Sequence, residues 1–557
     1  MKLHVEFKLA MLMKLYANAD LHVRVLMTLA LLASVVVAAQ EALSLRFPIR
    51  DPFQQGEFLA AGMAVLHGAP FEGDPFTIHG AADFFPLLAV SLFGQGPEYL
   101  ISQTLILYPI LSFLSIILVV LAGLRLTRSL GGDYLLLVPF LIFVPFAVGW
   151  RDLFFALSLL SFVGLVTQRK DCTGGLAAYA IFGLITAIGT YWSFNRGAAA
   201  LAAFGPVTLW LAWQDRRYLV SVATALAGFV VIGAAIPGVS LVGYVENFLM
   251  LLETASQWSY PGSSTGKAWT IALIGTFSAS AAVAAMALRH RGANRERVAL
   301  TAALLIAGAV YLKISLGRID EDHVVMGTWL PLLLTCSSAR WEKLSFPDTW
   351  VKRAILAAVA VLIAMAFAYA FHYKYAPHSM IVVTLLVLAG ALASACGRTG
   401  AGLGIVVLVL AHAGPAPLIG LKKLVGGEFD WMGSLSALPD NANAVTDSIL
   451  WAGQRIEQSG APCVFDLANT GLVNAVANLP SCSRFTYPVY ANATFEDMLI
   501  ADLMAADPTV LVYSSEYSSY RIDGRPMTER FPALDRAILD RFPVEECNLG
   551  VCLRSRE

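Results

Sequence analysis

Charge is scarce in this sequence. Only 14% of its 557 residues are Asp, Glu, Lys or Arg, and the net charge at pH 7 is −1. A chain so close to neutral has no broad electrostatic attraction for a polyanion, which excludes nucleic acid as a partner. Phe465-Asp466-Leu467-Ala468-Asn469 reads as a strand followed by a loop, but no glycine-rich phosphate motif accompanies it. No clear internal repeat is present, which counts against a transporter built from two related halves.

What fills the chain instead is hydrocarbon. Hydrophobic residues make up 57% of the sequence and mean hydropathy is +0.67, far above the balance of a soluble domain. The apolar runs predict about thirteen spans, at roughly 23–43, 101–124, 134–149, 153–167, 174–191, 197–213, 219–237, 268–288, 298–316, 324–339, 352–373, 379–396 and 402–419. The expected fold is therefore mainly α, a polytopic transmembrane helical bundle.

The basic residues set its orientation. Lys2, Lys8, Lys14 and Arg24 precede the first span, Arg125 and Arg128 follow the second, and Arg169 and Lys170 follow the fourth. Arg216 and Arg217 follow the sixth, and Arg289 to Arg297 the eighth. Every second loop is thus basic, which places those loops and the N-terminus in the cytoplasm. The alternate loops and the C-terminal region then lie outside, as in a multi-pass protein of a bacterial inner membrane. Val37-Ala38-Ala39 resembles a cleavage site, yet the apolar run continues through Leu43, so a retained helix is expected.

Two regions follow: residues 1–425 as the membrane domain, with an acidic first external loop at 46–100, and residues 426–557 as a soluble extracytoplasmic domain. In the latter, Val445 to Gln458 reads as an amphipathic helix, and Cys463–Leu467 and Thr509–Tyr513 as buried strands. Thr494 to Asp497 has capping-box spacing, Leu534 to Arg541 reads as a helix, and Asn548-Leu549-Gly550 as a hairpin turn. The pattern suggests a small C-terminal α/β domain. Four of the seven cysteines fall here, an even set that suggests disulfides outside the cell. Cys547 with Cys552 would staple the hairpin and leave Cys463 with Cys482; zinc is the alternative, although the spacing fits no usual ligand pattern.

The scarce charge is concentrated. Arg50, Asp51, Glu57, Asp74, His79 and Asp83 all fall just after the first span, and ionisable groups at a membrane rim cost enough to imply function. Asp51 precedes Pro52, so it can cap a helix that begins there. Glu57 would lie on the polar face of that helix, opposite Phe58, Leu59, Val65 and Leu66, with the helix in the interface plane. Asp83 reads as another cap and His79, before Gly80, as a turn residue. Arg196 and the run Arg318-Ile319-Asp320-Glu321-Asp322-His323 crowd charge into two short outer loops. Trp150-Arg151-Asp152 makes a third, where a lone Arg usually snorkels. Lys267 opens the eighth span. Asp320, Asp322 and His323 are suitable residue types for a metal, though adjacent spacing alone leaves the metal unknown.

Acids, a His and several Arg at one membrane face suit glycosyl transfer from a lipid phosphate. A cation stabilises the departing phosphate, and a carboxylate takes the acceptor proton. The architecture resembles the GT-C superfamily of integral-membrane glycosyltransferases. In that superfamily an acidic residue follows the first transmembrane helix, in an external loop with two interfacial helices, and a soluble external C-terminal domain is common. Asp51, the helix around Gln54 to His67 and the stretch Phe84 to Phe93 match that arrangement.

The resemblance implies an inverting transferase with Asp51 as base and Glu57 or Asp74 as any second carboxylate. Arg196, Lys267 or Arg318 would lie near the donor phosphate, and His79, Asp320, Asp322 and His323 would bind substrate. It implies a polyprenyl-phosphate-linked sugar donor, a glycan, lipid or protein acceptor, membrane lipids as surroundings and no tightly bound cofactor, with a divalent cation left open. The common Asp-Asp or Asp-Glu pair is missing, since Pro52 follows Asp51. An O-antigen polymerase or ligase and a polytopic transporter are the rival readings.

Overall fold

The computed structural model describes residues 52–68, 76–84, 97–132, 134–167, 175–235, 241–254, 264–317, 321–338, 442–516 and 527–556. The expected spans near 23–43, 352–373, 379–396 and 402–419, and nearly all of the stretch 84–93, lie outside these residues. The described residues are mostly helical, with one small sheet among them.

A loop helix, α1 (Pro52–Leu66), comes first, starting at the proline that fits the first position of a helix. The bundle then comprises α2 (Pro97–Leu130), α3 (Tyr134–Ala147), α4 (Leu153–Val166), α5 (Gly175–Trp192), α6 (Phe194–Gln214) and α7 (Tyr218–Ala235). It continues through α8 (Leu241–Thr254), α9 (Ser264–Arg291), α10 (Arg295–Gly317) and α11 (Glu321–Ser338). Among the described residues, three stretches are long and apolar enough to cross a membrane, Ile110–Leu130, Gly175–Trp192 and Arg295–Gly317. Helices α3 and α4 have 14 residues each, about 21 Å at 1.5 Å per residue, short of a hydrocarbon core of about 30 Å.

Helix α4 packs on α2, α10 on α6 and α11, and α11 on α3 and α9. The centre is aromatic: Phe155, Phe162, Phe204, Tyr311 and Trp329 are each about fully buried. Between apolar helices, hydroxyls supply the directional contacts. Thr335 on α11 donates to Ser280 Oγ on α9 at 2.7 Å, and Thr127 on α2 donates to Ser337 Oγ at 3.3 Å.

The C-terminal part is built from α12 (Ala442–Gln458), α13 (Leu472–Ala477), α14 (Glu496–Ala506), β1 (Val510–Ser515), α15 (Met527–Arg530), α16 (Pro532–Arg541), β2 (Val544–Asn548) and β3 (Val551–Ser555). Its sheet is antiparallel, in the order β1-β3-β2, with a register shift between Val512 and Ser514. Val445, Ile449, Ala452 and Ile456 make one buried stripe on α12, the 3.6-residue spacing of an amphipathic helix. Both disulfides form as the spacing suggested, Cys463 with Cys482 and Cys547 with Cys552, the latter across the β2–β3 hairpin.

Three local expectations are corrected. Cys463–Leu467 is not a strand; only the isolated parallel bridges Val464–Ser481 and Asp466–Val512 form, since each needs a different neighbour and no continuous ladder results. Thr494 does not cap α14, because it sits inside a 3-10 turn, Ala493–Phe495. The Glu496 carboxylate instead caps α16, accepting from Ala533 N at 2.7 Å and Leu534 N at 2.9 Å. Helix α1 does not present Glu57 on a polar face. Leu59 and Met63 join the core of α12 and β3, while Phe53 and Ala60 join that of Phe465 and Tyr487. With a second layer seated on it, α1 is buried on both sides.

Candidate active site

Packing against α1 is close. A Cβ on Gly56 would fall 1.8 Å from the Thr470 carbonyl oxygen, so only glycine permits this approach. The loop it meets is tied down by Asp466, which accepts from Ala468 N at 3.0 Å, Thr470 N at 2.8 Å, Thr470 Oγ1 at 2.6 Å and Gly471 N at 2.9 Å. Glu57, one residue on, is consequently buried, at 7% exposure, and accepts the phenolic hydrogen of Tyr490.

The segment 76–84 is laid beside it by backbone bonds. Phe76 N donates to Arg484 O at 2.7 Å, and Phe194 N at the start of α6 donates to His79 O at 3.0 Å. Gly80, at φ +95°, takes a conformation that L side chains resist. The chain then coils into a 3-10 turn, Ala81–Phe84, that returns Asp83 to His79. His79 Nδ1 lies 2.9 Å from Asp83 Oδ1, and His79 N donates to Asp83 Oδ2 at 3.2 Å. On the other edge of the ring, His79 Nε2 is 3.9 Å from Glu57 Oε1.

A second cluster forms where α3 turns into α4. Asp152 is 1% exposed. It accepts from Gly149 N at 2.9 Å, Arg196 Nε at 3.1 Å and Tyr311 Oη at 2.8 Å. The Arg196 guanidinium also lies 5.7 Å from the centre of the Tyr311 ring, within cation–π range, and Nη2 donates to Met326 Sδ at 3.0 Å. Arg151 links the clusters electrostatically, since it acts on His79, Asp83, Glu57, Asp152 and Arg196.

Burial dominates the protonation equilibria. It pushes the Asp83 carboxyl up to about 7, against the pull of Arg151 and of the His79 and Ile78 amides. Burial, then Arg151, holds His79 well below its ordinary value, opposed by Glu57; Arg196 and His323 add to the lowering. Burial likewise lowers Arg151, with Glu57, Asp83 and Asp152 opposing. His79 is therefore a neutral imidazole at pH 7. When Asp83 is ionised, the ring proton belongs on Nδ1, which leaves Nε2 as a lone pair facing Glu57. Such a site can accept a proton, hold an anion against Arg151 and Arg196, and do so away from water.

Of the site residues expected from sequence, Glu57, His79 and Arg196 come together here, and His323, on α11, reaches His79 electrostatically. His79 and Asp83 form a mutual buried pair, not a separate turn residue and cap. Lys267 lies on α9 and Asp322 on α11. Asp51, Asp74, Arg318 and Asp320 lie outside the described residues. Sequence reasoning gives Asp152 only as part of a charged outer loop and misses Tyr311 and Tyr490. For Asp152 a signal existed, an acid beside Arg151 in a turn between apolar runs; for the two tyrosines none did. Among the described residues, Glu545, Cys547 and Cys552 are close enough to share a metal, but both sulfurs are already spent in their disulfide.

No family model matches this sequence, and no curated protein matches it. Among solved structures, the chain is similar to ArnT from Cupriavidus metallidurans bound to undecaprenyl phosphate, at 14% identity and a TM-score of 0.43, over 95% of this chain and 97% of that one. Apo ArnT gives 13% and 0.45, over 94% and 97%. The apo Archaeoglobus fulgidus oligosaccharyltransferase gives 13% and 0.46, over 89% of this chain and 70% of the other.

Proposed function

We propose that this chain is a membrane glycosyltransferase that moves a sugar from a polyprenyl-phosphate donor to a glycan, lipid or protein acceptor. The observation that carries the reading is the buried association of Glu57, His79 and Asp83 with Arg151, Arg196 and Asp152, where the loop helix meets the bundle. Buried ionisable groups of both signs cost stability unless paired, so a cluster of them beside apolar helices is a functional feature. The two disulfides fit an oxidising compartment, which supports a C-terminal region outside the cytoplasm of a bacterial inner membrane.

The reaction is a single displacement with inversion. Asp51, which immediately precedes α1, takes the proton of the acceptor hydroxyl. The acceptor oxygen bonds to the anomeric carbon as the bond from that carbon to the phosphate oxygen breaks, and the polyprenyl phosphate leaves with the electron pair. Arg196, with Arg151 beside it, supplies positive potential for the departing charge, and Lys267 and Arg318 are further phosphate contacts. Glu57 or Asp74 is the second carboxylate. His79, Asp320, Asp322 and His323 organise the acceptor or a divalent cation.

The test is transfer of labelled sugar from a polyprenyl-phosphate donor by membranes carrying the wild type or Asp51→Asn. The wild type is expected to transfer and the variant, inserted at equal level, to lose activity by at least about 100-fold. An active, well-expressed Asp51→Asn would remove the base assignment. Loss of solute uptake on deletion, with envelope glycans and lipid-linked intermediates unchanged, would instead favour a transporter.

A further inference from the structure

We infer that Tyr490 is a positioning residue of this site: its phenol, carried by the C-terminal segment, holds the Glu57 carboxylate beside His79, so that segment completes the site. This rests on the glycosyltransferase reading above and adds a component to it. Tyr490 and Glu57 are separated by 433 residues in sequence, both are buried, and the phenol donates directly to the carboxylate. A tyrosine that merely packs would satisfy its hydroxyl on a backbone carbonyl, as Tyr487 does on Phe53 O at 2.9 Å. Tyr490 instead spends its one donor on an acid that lies 3.9 Å from the imidazole.

The scaffold behind Tyr490 is stiff. It sits in a 3-10 turn, Pro488–Ala491, with its N–H bonded to Tyr487 O at 2.9 Å. Val489 N donates to Asn469 Oδ1 at 3.0 Å, which joins that turn to the loop Asp466 ties down. The Tyr487 and Tyr490 rings stack at 5.5 Å, and Phe53 of α1 meets Tyr487 edge-on at 5.1 Å. Two turns of rigid backbone therefore fix the phenol oxygen relative to α1, and through it one oxygen of Glu57. A carboxylate so restrained keeps one orientation toward the reacting groups, which is how a neighbouring side chain contributes to a barrier without touching substrate.

Tyr490→Phe removes the donor and keeps the ring stack. In the full-length protein, with a polyprenyl-phosphate sugar donor, this variant is expected to lower kcat by about 10- to 100-fold, the range of one hydrogen bond to a charged group. KM for the donor should stay within about twofold, and the melting temperature should be little changed. Adding Glu57→Gln to Tyr490→Phe should cost little beyond Glu57→Gln alone, since both act through one contact. A Tyr490→Phe protein with wild-type kcat, or losses that multiply in the double variant, would overturn the role while leaving the transferase reading intact. A wild type without transfer would overturn that reading and this role with it. If Tyr490→Phe does not fold, 3-fluorotyrosine at 490 keeps the phenol and changes only its acidity. A kcat that moves with the fluorine supports the role, and an unmoved kcat rejects it.

Discussion

Arg196 donates from Nε to Asp152 Oδ1 at 3.1 Å with both side chains buried, joining the start of α6 to the α3–α4 turn. Tyr311 adds a donor from α10 to the same oxygen at 2.8 Å. Three parts of the bundle thus converge on one carboxylate. The pair is the anchor that lets a guanidinium sit among apolar helices, and it decides what single substitutions do.

Asp152→Asn keeps the shape and removes the countercharge, so Arg196 becomes a buried cation without one. Breaking a buried pair in this way costs about 3–5 kcal/mol. A melt in detergent should show Asp152→Asn clearly below the wild type. Asp152→Leu combined with Arg196→Met should recover part of that loss, because no buried charge is left unpaired, while the Tyr311 hydroxyl and Gly149 N–H lose their acceptor. Transfer activity should not return with stability, since the double variant lacks the cation proposed for the phosphate. Recovery of both would make Arg196 purely structural.

The His79–Asp83 pair sets a pH dependence. Asp83 has a folded value of about 7, above the ordinary carboxylate value of about 4. The folded state therefore binds its proton more tightly than the unfolded chain does. Its contribution to stability is complete below about pH 4 and is lost as pH rises through about 7. His79 has the opposite sign: lowered when folded, it contributes fully above its ordinary value near 6.5 and loses that contribution as pH falls. Asp83→Asn leaves an acceptor for the Nδ1 hydrogen and abolishes the first of these terms. Melting temperature measured from pH 4 to 8 should accordingly decline less toward high pH in Asp83→Asn than in the wild type. Parallel curves would show that Asp83 is ionised throughout.

Much of this arrangement could be read from the sequence, and the remainder fails for definable reasons. Helix α12 carries its own periodicity, and the hairpin and its cysteines are local, so both are legible in the sequence. The sequence points Glu57 to a polar helix face because an isolated amphipathic helix has two sides and charge implies water. The structure buries it with a partner 433 residues away, and no local pattern encodes that distance. Asp152 and Arg151 looked like ordinary loop charges, since helix packing, not spacing, brings Arg196 and Tyr311 to them. His79 and Asp83 are four residues apart, yet their pairing depends on a glycine turn that sequence marks only weakly. Asp51, the strongest expectation from sequence, lies just outside the described residues.

Gly56 offers a test of how closely the C-terminal segment must sit. An added methyl would meet the Thr470 oxygen and the Leu472 nitrogen, at 1.8 and 2.8 Å, and both are backbone atoms. The Thr470 loop cannot easily give way, because Asp466 holds it. Gly56→Ala should therefore cost more than the about 1–3 kcal/mol of ordinary overpacking, or lift the segment off α1. Either result appears as a lower melting temperature together with faster tryptic cleavage of residues 442–516. Unchanged melting and cleavage would mean that α1 and the loop are not in contact in the membrane-embedded protein.

The two disulfides should differ in what they contribute. Cys463 and Cys482 are 19 residues apart, whereas Cys547 and Cys552 are 5 apart. Closing the longer loop removes more freedom from the unfolded chain, about 3 kcal/mol against about 2 kcal/mol in the chain-entropy account. The longer bridge also joins the two strands of chain that lead into the Asp466 loop and the Tyr490 turn. Cys463→Ser with Cys482→Ser should thus lower the melting temperature more than Cys547→Ser with Cys552→Ser, and should alone reduce transfer, through the position of Tyr490. Melting curves and activity of the two paired variants, measured side by side without reductant, check both statements. Equal losses of activity would show that Tyr490 is held by α1 packing and not by the bridge.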